Sequence, residues 1–171
     1  MDETLTPVKD SLVVFTEGAK VNFSLYQKVA PVFGCNINGT PRIMPVIFAK
    51  PEDKDAFVRK ILTLIARGQL KEFVFVCECW LATAPAENID QIADWMARNG
   101  SLENFPACQE AVQVIYASPS EEICYTALIE RSSMGVTLGG WEVQKSSGRV
   151  ALPDLTTRFQ GLFAKGTAGN N

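Results

Sequence analysis

The segment Phe73–Ala84 restricts the fold of this chain more than any other feature of its sequence. Apolar residues occupy almost every position in it, whereas a strand with one solvated face shows an alternation of apolar and polar residues. A strand segment that is apolar on both faces is typical of a strand that is covered on both sides. We therefore predict a central strand over residues 71–84, with Cys77 and Glu78 on opposite faces.

A second strong signal is the dipeptide Asn38-Gly39, which lies between two apolar segments ahead of the central strand. Asn-Gly tolerates the positive φ angles of a type I′ turn and predicts a hairpin with strands at 29–37 and 43–49. Pro41 and Pro45 lack a backbone donor, so at least one of these strands should be short or lie at an edge of the sheet.

The remaining segments predict further helices and strands from their apolar spacing and turn residues. The predicted order is a helix at 6–17, the hairpin, a helix at 52–67, the central strand, a helix at 87–98, strands at 110–118 and 123–131, a glycine-containing loop at 132–140, a hairpin of 141–144 with 150–152, and a closing helix capped by Asp154. Consecutive strands joined by tight turns give an antiparallel sheet of about five to six strands. With helices packed mainly on one face of that sheet, the fold class is α+β.

Length and composition fit a single domain over residues 1–165, followed by a polar tail at 166–171 that we expect to be disordered. The chain has 171 residues, a net charge of −3 and scattered Lys and Arg residues, which disfavours nucleic acid as a partner. Its start, Met1-Asp2-Glu3, is the reverse of a secretory leader, and its apolar runs are too short and too charged to cross a bilayer. We expect a soluble, cytoplasmic protein with no membrane partner.

The chain contains no histidine. This excludes Ser-His-Asp and Cys-His catalysis, histidine-containing zinc sites and the usual proton shuttle at neutral pH. The glycines of the loop at 132–140 fit neither a Walker A loop nor a dinucleotide fingerprint, since no Lys-Ser/Thr follows them. The sequence accordingly predicts no cofactor.

The five cysteines are odd in number and irregularly spaced, which favours reduced thiols over a disulfide framework. Cys77 and Cys79 lie on one face of the predicted strand and could share a metal ion only with two further ligands, such as Cys108 and Cys124. The tight C-x2-C pairs that usually build such sites are missing from the sequence. We predict core cysteines and no metal.

Glu78 is the first candidate for a functional residue, because it interrupts the apolar strand next to Trp80. A carboxylate buried there would need a cationic partner or a raised pKa, and catalytic and structural carboxylates share these properties. The candidate cations are Arg42, Arg98 and Arg131, and Glu130 is the candidate second carboxylate. The simpler interpretation is that Glu78 faces solvent or makes a structural ion pair.

Two segments resemble a family of uncharacterised bacterial and phage-associated proteins. Cys77-Glu78-Cys79-Trp80 is similar to the family's Ser-Glu-Ala-Trp strand motif, and residues 105–110 are similar to its His-Pro-Asp-Arg-Arg-Glu motif. Glu78, Trp80, Pro106 and Glu110 match, whereas the Ser, the His and both Arg are replaced. The resemblance extends over residues 30–130 and implies a shared fold, a mobile-element origin, and Trp80 and Glu110 as binding residues.

No part of the sequence identifies a reaction, a ligand or a partner. The missing catalytic and cofactor motifs favour a non-enzymatic binding or assembly module that forms a homodimer or binds another protein. The apolar stripe Leu155, Phe159, Leu162 and Phe163 is predicted as core, with packing against a second subunit as the alternative. The alternative function is a small carboxylate-dependent enzyme centred on Glu78.

Overall fold

The computed structural model describes residues 8–82, 89–100, 102–106, 108–146 and 159–168. Within these residues, a seven-stranded antiparallel sheet with associated helices confirms the α+β class. The helices are a 3-10 turn at Val8–Ser11, α1 (Leu12–Tyr26), α2 (Pro51–Ala66), α3 (Ile89–Asn99) and α4 (Leu162–Ala168). The strands are β1 (Val32–Ile37), β2 (Thr40–Pro45), β3 (Leu70–Ala82), β4 (Cys108–Ala117), β5 (Glu122–Ser132), β6 (Gly135–Leu138) and β7 (Glu142–Ser146).

The strand β3 is central, as its two apolar faces predict. The order across the sheet is β2-β1-β3-β4-β5-β6, and β7 also pairs with β5. The strand β5 therefore has β4 on one side, while β6 and β7 share its other side along successive stretches. Phe73, Val74 and Phe75 of β3 are fully buried, which places the centre of the molecule at this strand.

The hairpin at Asn38-Gly39 is confirmed, with φ angles of 52° and 81° at the two turn residues. Its strands cover 32–37 and 40–45, whereas the predicted strands at 29–37 and 43–49 begin or end several residues away. Its second strand, β2, lies at the edge of the sheet and contains Pro41 and Pro45, as the missing donors require. The helix α2 is confirmed within one residue at each end. The carboxylate of Asp53 accepts hydrogen bonds from the backbone N–H groups of Ala49 (2.8 Å) and Lys50 (3.0 Å) at its start.

The predicted helix at 6–17 is too short. A 3-10 turn precedes α1, which then continues past Gly18 to Tyr26. The helix continues because its buried face, Leu12, Thr16, Ala19 and Phe23, keeps helical spacing beyond the glycine. Burial of Phe23 outweighs the weak helix propensity of a single exposed glycine.

The predicted loop at 132–140 is also wrong over half of its length. Residues Gly135–Leu138 form β6, which returns along the end of β5. Val136 and Leu138 pack against the part of the core that α1 covers, and this burial stabilises a short edge strand. The predicted strand 150–152 and most of the predicted closing helix lie outside the described residues, and α4 extends into the segment predicted as a tail.

Packing of the helices mainly on one face is not confirmed, because the sheet has a core on each side. The first core joins alternate sheet residues such as Phe73, Phe75 and Ile115 to α2 and α4. The second joins the intervening residues, such as Val74 and Val114, to the 3-10 turn and α1. We call these the α2–α4 side and the α1 side of the sheet. No helix within the described ranges is long and apolar enough to cross a membrane.

Candidate functional site

Glu78 lies at the point where β3 loses one of its two neighbours. The last β3 residue that pairs with β1 is Val76, whose partner is Val32. The side chain of Glu78 points to the α1 side, as that of Val76 does, and is exposed. Its Oε1 atom accepts a hydrogen bond of 2.6 Å from the backbone N–H of Val29. Glu78 therefore fixes the segment that leads into β1, which is a structural role.

Three further predicted residues lie beyond Glu78 on the same side of the sheet. Trp80 is directly opposite Glu110 on β4, so the two motifs of the family resemblance meet in the sheet. Arg131 of β5 contacts the Glu110 carboxylate with Nε and, at 3.0 Å, with Nη2. The Arg131 hydrogen bonds lower the pKa of Glu110, and Glu110 in turn raises the pKa of Arg131. Trp80, Glu110 and Arg131 thus form one cluster on the sheet face that Glu78 shares.

The other predicted partners of Glu78 are not in this cluster. Glu130 precedes Arg131 in β5, so its side chain points to the α2–α4 side and cannot act with Glu78 as a carboxylate pair. Arg42 pairs with Cys35 on that same opposite side. Arg98 lies on α3, where its Nε donates to the backbone carbonyl of Asp94 at 3.2 Å. Of the three candidate arginines, only Arg131 shares a face with Glu78.

An open cavity of about 420 Å³ lies beside the free edge of β3 and reaches Glu78. Val46, Ile47, Phe48 and Phe159 contribute apolar walls, and Lys54 and Glu78 are the two charged residues in its lining. The Lys54 ammonium is 5.9 Å from the centroid of the Phe48 ring, within reach of a cation–π contact. An ammonium and a carboxylate on apolar walls suit a small ligand that carries both charges.

Sequence reasoning missed Lys54, Phe48 and Phe159 as cavity residues. Lys54 belongs to the first turns of α2 and Phe48 to the loop before that helix, and Phe159 comes from the far end of the chain. No spacing in the sequence relates these three positions. Only the packing of α2 and of the segment before α4 on one side of the sheet brings them together.

Cys77 and Cys124 are buried in the core, and Cys79 is partly buried. Burial raises the pKa of Cys77 to about 12 and also raises the pKa values of Cys79 and Cys124. A protonated thiol is neither a nucleophile nor a good metal ligand. Within the part of the chain that the structure describes, no three Cys, Asp or Glu side chains are grouped so that they could hold a metal ion.

Comparison of the chain with family models, with curated proteins and with solved structures found no match. The resemblance to bacterial and phage-associated proteins therefore remains a prediction. The arguments for function rest on the geometry of the described residues.

Proposed function

We propose that the chain is a non-enzymatic binding and assembly module that forms a homodimer through the α1 side of its sheet. One observation carries this proposal. Nine large apolar side chains of the described residues are exposed, and seven of them lie on α1 or on the α1 side. The five on the helix are Val13, Val14, Val21, Leu25 and Tyr26, and the two on strands are Ile43 and Val143.

The positions of the two strand residues follow from the register. Ile43 is opposite Gly34, and an added Cβ at Gly34 would come within 2.7 Å of the Phe15 ring of α1. Val143 is opposite Tyr125, which packs into the core beneath α1. Directly opposed residues share a face, so both strand residues lie on the α1 side of the sheet. A concentration of exposed apolar side chains on one side is typical of an interaction surface.

On the α2–α4 side, in contrast, the apolar side chains of the C-terminal stripe are buried within the chain. Phe159, Leu162 and Phe163, the described part of the C-terminal stripe, are buried against the sheet. Phe163 stacks on Phe73 with ring centroids 5.9 Å apart. The described part of this stripe is therefore core and contributes no docking surface, which leaves the α1 side as the exposed apolar face among the described residues.

Light scattering coupled to size exclusion tests the homodimer. We expect twice the monomer mass at micromolar concentration and dissociation on dilution. Leu25→Ser should shift the equilibrium toward monomer, because it removes an exposed apolar side chain from the surface that we propose is buried. Met134→Ser, at an exposed residue in the β5–β6 turn, is the matched control and should change nothing. A wild-type chain that stays monomeric up to high micromolar concentration contradicts the proposal.

The cavity beside β3 favours a second candidate, the carboxylate-dependent enzyme, because it exposes Glu78 to a ligand. Since Glu130 faces away, Lys54 replaces it as the second ionisable group of this candidate. Ligand-observed NMR with a panel of free amino acids tests the cavity, because each carries an ammonium and a carboxylate. Binding should be lost in both Glu78→Gln and Lys54→Met. Product signals that Glu78→Gln abolishes would establish an enzyme, and an absence of both binding and turnover would refute this candidate.

A further inference from the structure

We infer that the cavity beside β3 binds a short peptide with free ends, which crosses the edge of the sheet between Lys54 and Glu78. This inference rests on the cavity of the second candidate function and names the class of its ligand. The observations that support it are two charges on opposite faces of the sheet, a backbone without a partner between them, and an aromatic wall beside one of them.

The ammonium group of Lys54 lies on the α2–α4 side of the sheet. Lys54 lines the cavity together with Cys77, whose side chain belongs to the core on that side. Burial raises the pKa of Cys77 and the positive charge of Lys54 lowers it, so the ammonium lies near the thiol. Lys54 is half-buried and has no ion-pair partner among the described residues. A ligand carboxylate can supply that partner.

The carboxylate of Glu78 lies on the other face. Consecutive residues of a strand point to opposite faces, so the side chain of Glu78 leaves the sheet opposite that of Cys77. Its Oε1 accepts the hydrogen bond from Val29, whereas its Oε2 accepts none from the residues that the structure describes. A ligand ammonium can bind this second oxygen. The cavity reaches both Lys54 and Glu78 because β1 no longer covers the edge of β3 at this point.

The backbone of Glu78 lies between the two charges, at the edge of the sheet. In an antiparallel ladder, successive residues direct their N–H and C=O groups to alternate neighbours. The N–H of Val46 donates to the C=O of Pro31 at 2.9 Å, so Pro31 faces β2 and the next residue, Val32, faces its β3 partner Val76. Glu78 is two residues beyond Val76, and its N–H and C=O therefore point to the side on which β1 has ended.

The ladder with β4 gives the same alternation. The N–H of Ser118 donates across the β4–β5 turn at 2.9 Å, so the residue before it, Ala117, directs its backbone groups to β3. Gln113, four residues earlier, does the same toward its partner Cys77. Glu78 follows Cys77 and therefore does not use its N–H and C=O for β4. Within the described part of the chain these two groups have no backbone partner, and a ligand amide can bind them.

The separation of the charges favours a peptide over a free amino acid. The ammonium and the carboxylate of a free amino acid are attached to one carbon, so they cannot reach both faces of a strand. The ends of an extended dipeptide are about 7 Å apart, and its peptide group lies between them. Such a ligand places its carboxylate at Lys54, its amide at the backbone of Glu78 and its ammonium at the Glu78 carboxylate.

The wall beside Lys54 favours an apolar C-terminal residue in this peptide. The Lys54 ammonium is 5.9 Å from the centroid of the Phe48 ring, which stacks on Phe159 with centroids 6.2 Å apart. The Phe159 ring is in turn 4.4 Å from that of Phe75. The residue whose carboxylate pairs with Lys54 thus lies against aromatic rings, which favour an aliphatic or aromatic side chain. The dipeptides Ala-Leu and Ala-Phe have this chemistry.

Isothermal titration calorimetry with matched ligands tests the inference. We expect Ala-Leu and Ala-Phe to bind. N-acetyl-Ala-Leu lacks the ammonium, Ala-Leu amide lacks the carboxylate, and free leucine lacks the separation, so each should bind about tenfold more weakly than Ala-Leu. The amide resonance of Glu78 should shift in NMR spectra when Ala-Leu is added.

Two variants assign each end of the peptide to its partner. Lys54→Met should weaken Ala-Leu but leave the weak binding of Ala-Leu amide unchanged. Glu78→Gln, which keeps an acceptor for the Val29 N–H, should weaken Ala-Leu but leave N-acetyl-Ala-Leu unchanged. The matched controls are Lys60→Met, exposed on the same helix, and Glu130→Gln, exposed on the opposite side of the sheet, and both should bind as the wild type does. Circular dichroism checks that each variant keeps its fold.

The results separate this inference from the proposed functions. Binding is measured whatever the oligomeric state, so a monomeric wild type overturns the homodimer alone. Free leucine that binds as tightly as Ala-Leu overturns the peptide and leaves the amino-acid site of the second candidate. N-acetyl-Ala-Leu that binds as tightly as Ala-Leu, or Lys54→Met that binds Ala-Leu like the wild type, overturns the placement of the two ends. The inference is also overturned if neither dipeptide binds at millimolar concentration.

Discussion

Alternation along β3 places side chains of different chemistry one residue apart on opposite sides of the sheet. Cys77 faces the α2–α4 side, where the large burial penalty for a thiolate raises its pKa to about 12. Glu78 faces the α1 side, where it is exposed and hydrogen-bonded. The carboxyl group of the pair therefore lies where water can reach it and the thiol lies in the core, in agreement with the cost of burying a charge.

The buried thiols should be unreactive in the native protein. At pH 8, a thiol with a pKa of about 12 has roughly one thiolate in ten thousand molecules. Burial also raises the pKa values of Cys35 and Cys124. Iodoacetamide labelling followed by mass spectrometry should therefore modify Cys35, Cys77 and Cys124 only after denaturant is added. Rapid modification of Cys77 in the native protein would contradict this assignment.

Glu122 should make the stability of the chain depend on pH. Burial raises its pKa although its Oε2 accepts a 2.8 Å hydrogen bond from the backbone N–H of Gly161. The folded state then binds a proton more tightly than the unfolded state, so the free energy of unfolding falls as pH rises from the ordinary Glu pKa through the raised value. The slope can reach about 1.4 kcal/mol per pH unit.

Denaturant titrations across this pH range measure the effect. Glu122→Gln should remove the slope while keeping the shape of the side chain, and Glu142→Gln, at an exposed position in β7, should keep it. An identical pH profile for Glu122→Gln and the wild type would show that Glu122 does not cause the dependence.

Among the elements, those whose own residues contain the full sequence pattern of a helix, strand or turn could be predicted from the sequence. The strand β3 has two apolar faces, α2 has acids in its first turn and a buried stripe, and the first hairpin has an Asn-Gly turn. The end of α1 and the strand β6 could not be predicted. In both, burial against a distant part of the chain outweighs local glycine residues, and a sequence pattern does not reveal that burial.

The close packing of α4 on α2 requires glycine at position 166. A Cβ there would lie 2.6 Å from Cγ2 of Ile65. Gly166→Ala should therefore reduce the free energy of unfolding by about 1 to 3 kcal/mol, even though alanine is the better helix residue. In Gly166→Ala/Ile65→Ala the loss should be smaller than the sum of the two single losses, which a double-mutant cycle by chemical denaturation measures. Additive losses would show that the two residues are not in contact.

At the scale of the molecule, the assignment of helices to the two sides of the sheet could not be predicted. Periodicity identifies the buried face of a helix but does not identify the sheet face that covers it, because that choice depends on long-range packing. The same limit applies to the site. The position of Glu78 next to Trp80 is visible in the sequence, whereas the contribution of Lys54 and Phe159 to its cavity depends on the assembled fold.

Backbone hydrogen exchange should be slowest in the first half of β3. Residues Phe73 to Val76 pair with both β1 and β4 and are at most 3% exposed, so their amides should exchange only through global unfolding. The edge strand β7 has an exposed face and should exchange much faster. Exchange followed by NMR checks this order, and equal protection of β3 and β7 would contradict it.

The order of the strands also has a kinetic consequence. Each strand pairs with a strand that is adjacent or next but one along the chain, so no pairing joins strands that are distant in chain order. The longest intervening segments are those on either side of β3. Helix α2 lies between β3 and its partner β1, and α3 lies between β3 and its partner β4. Since folding rates fall with the sequence separation of contacts, the first hairpin and the β4–β5–β6 meander can form early. Docking of β3 between them would then set the rate at which the whole chain folds.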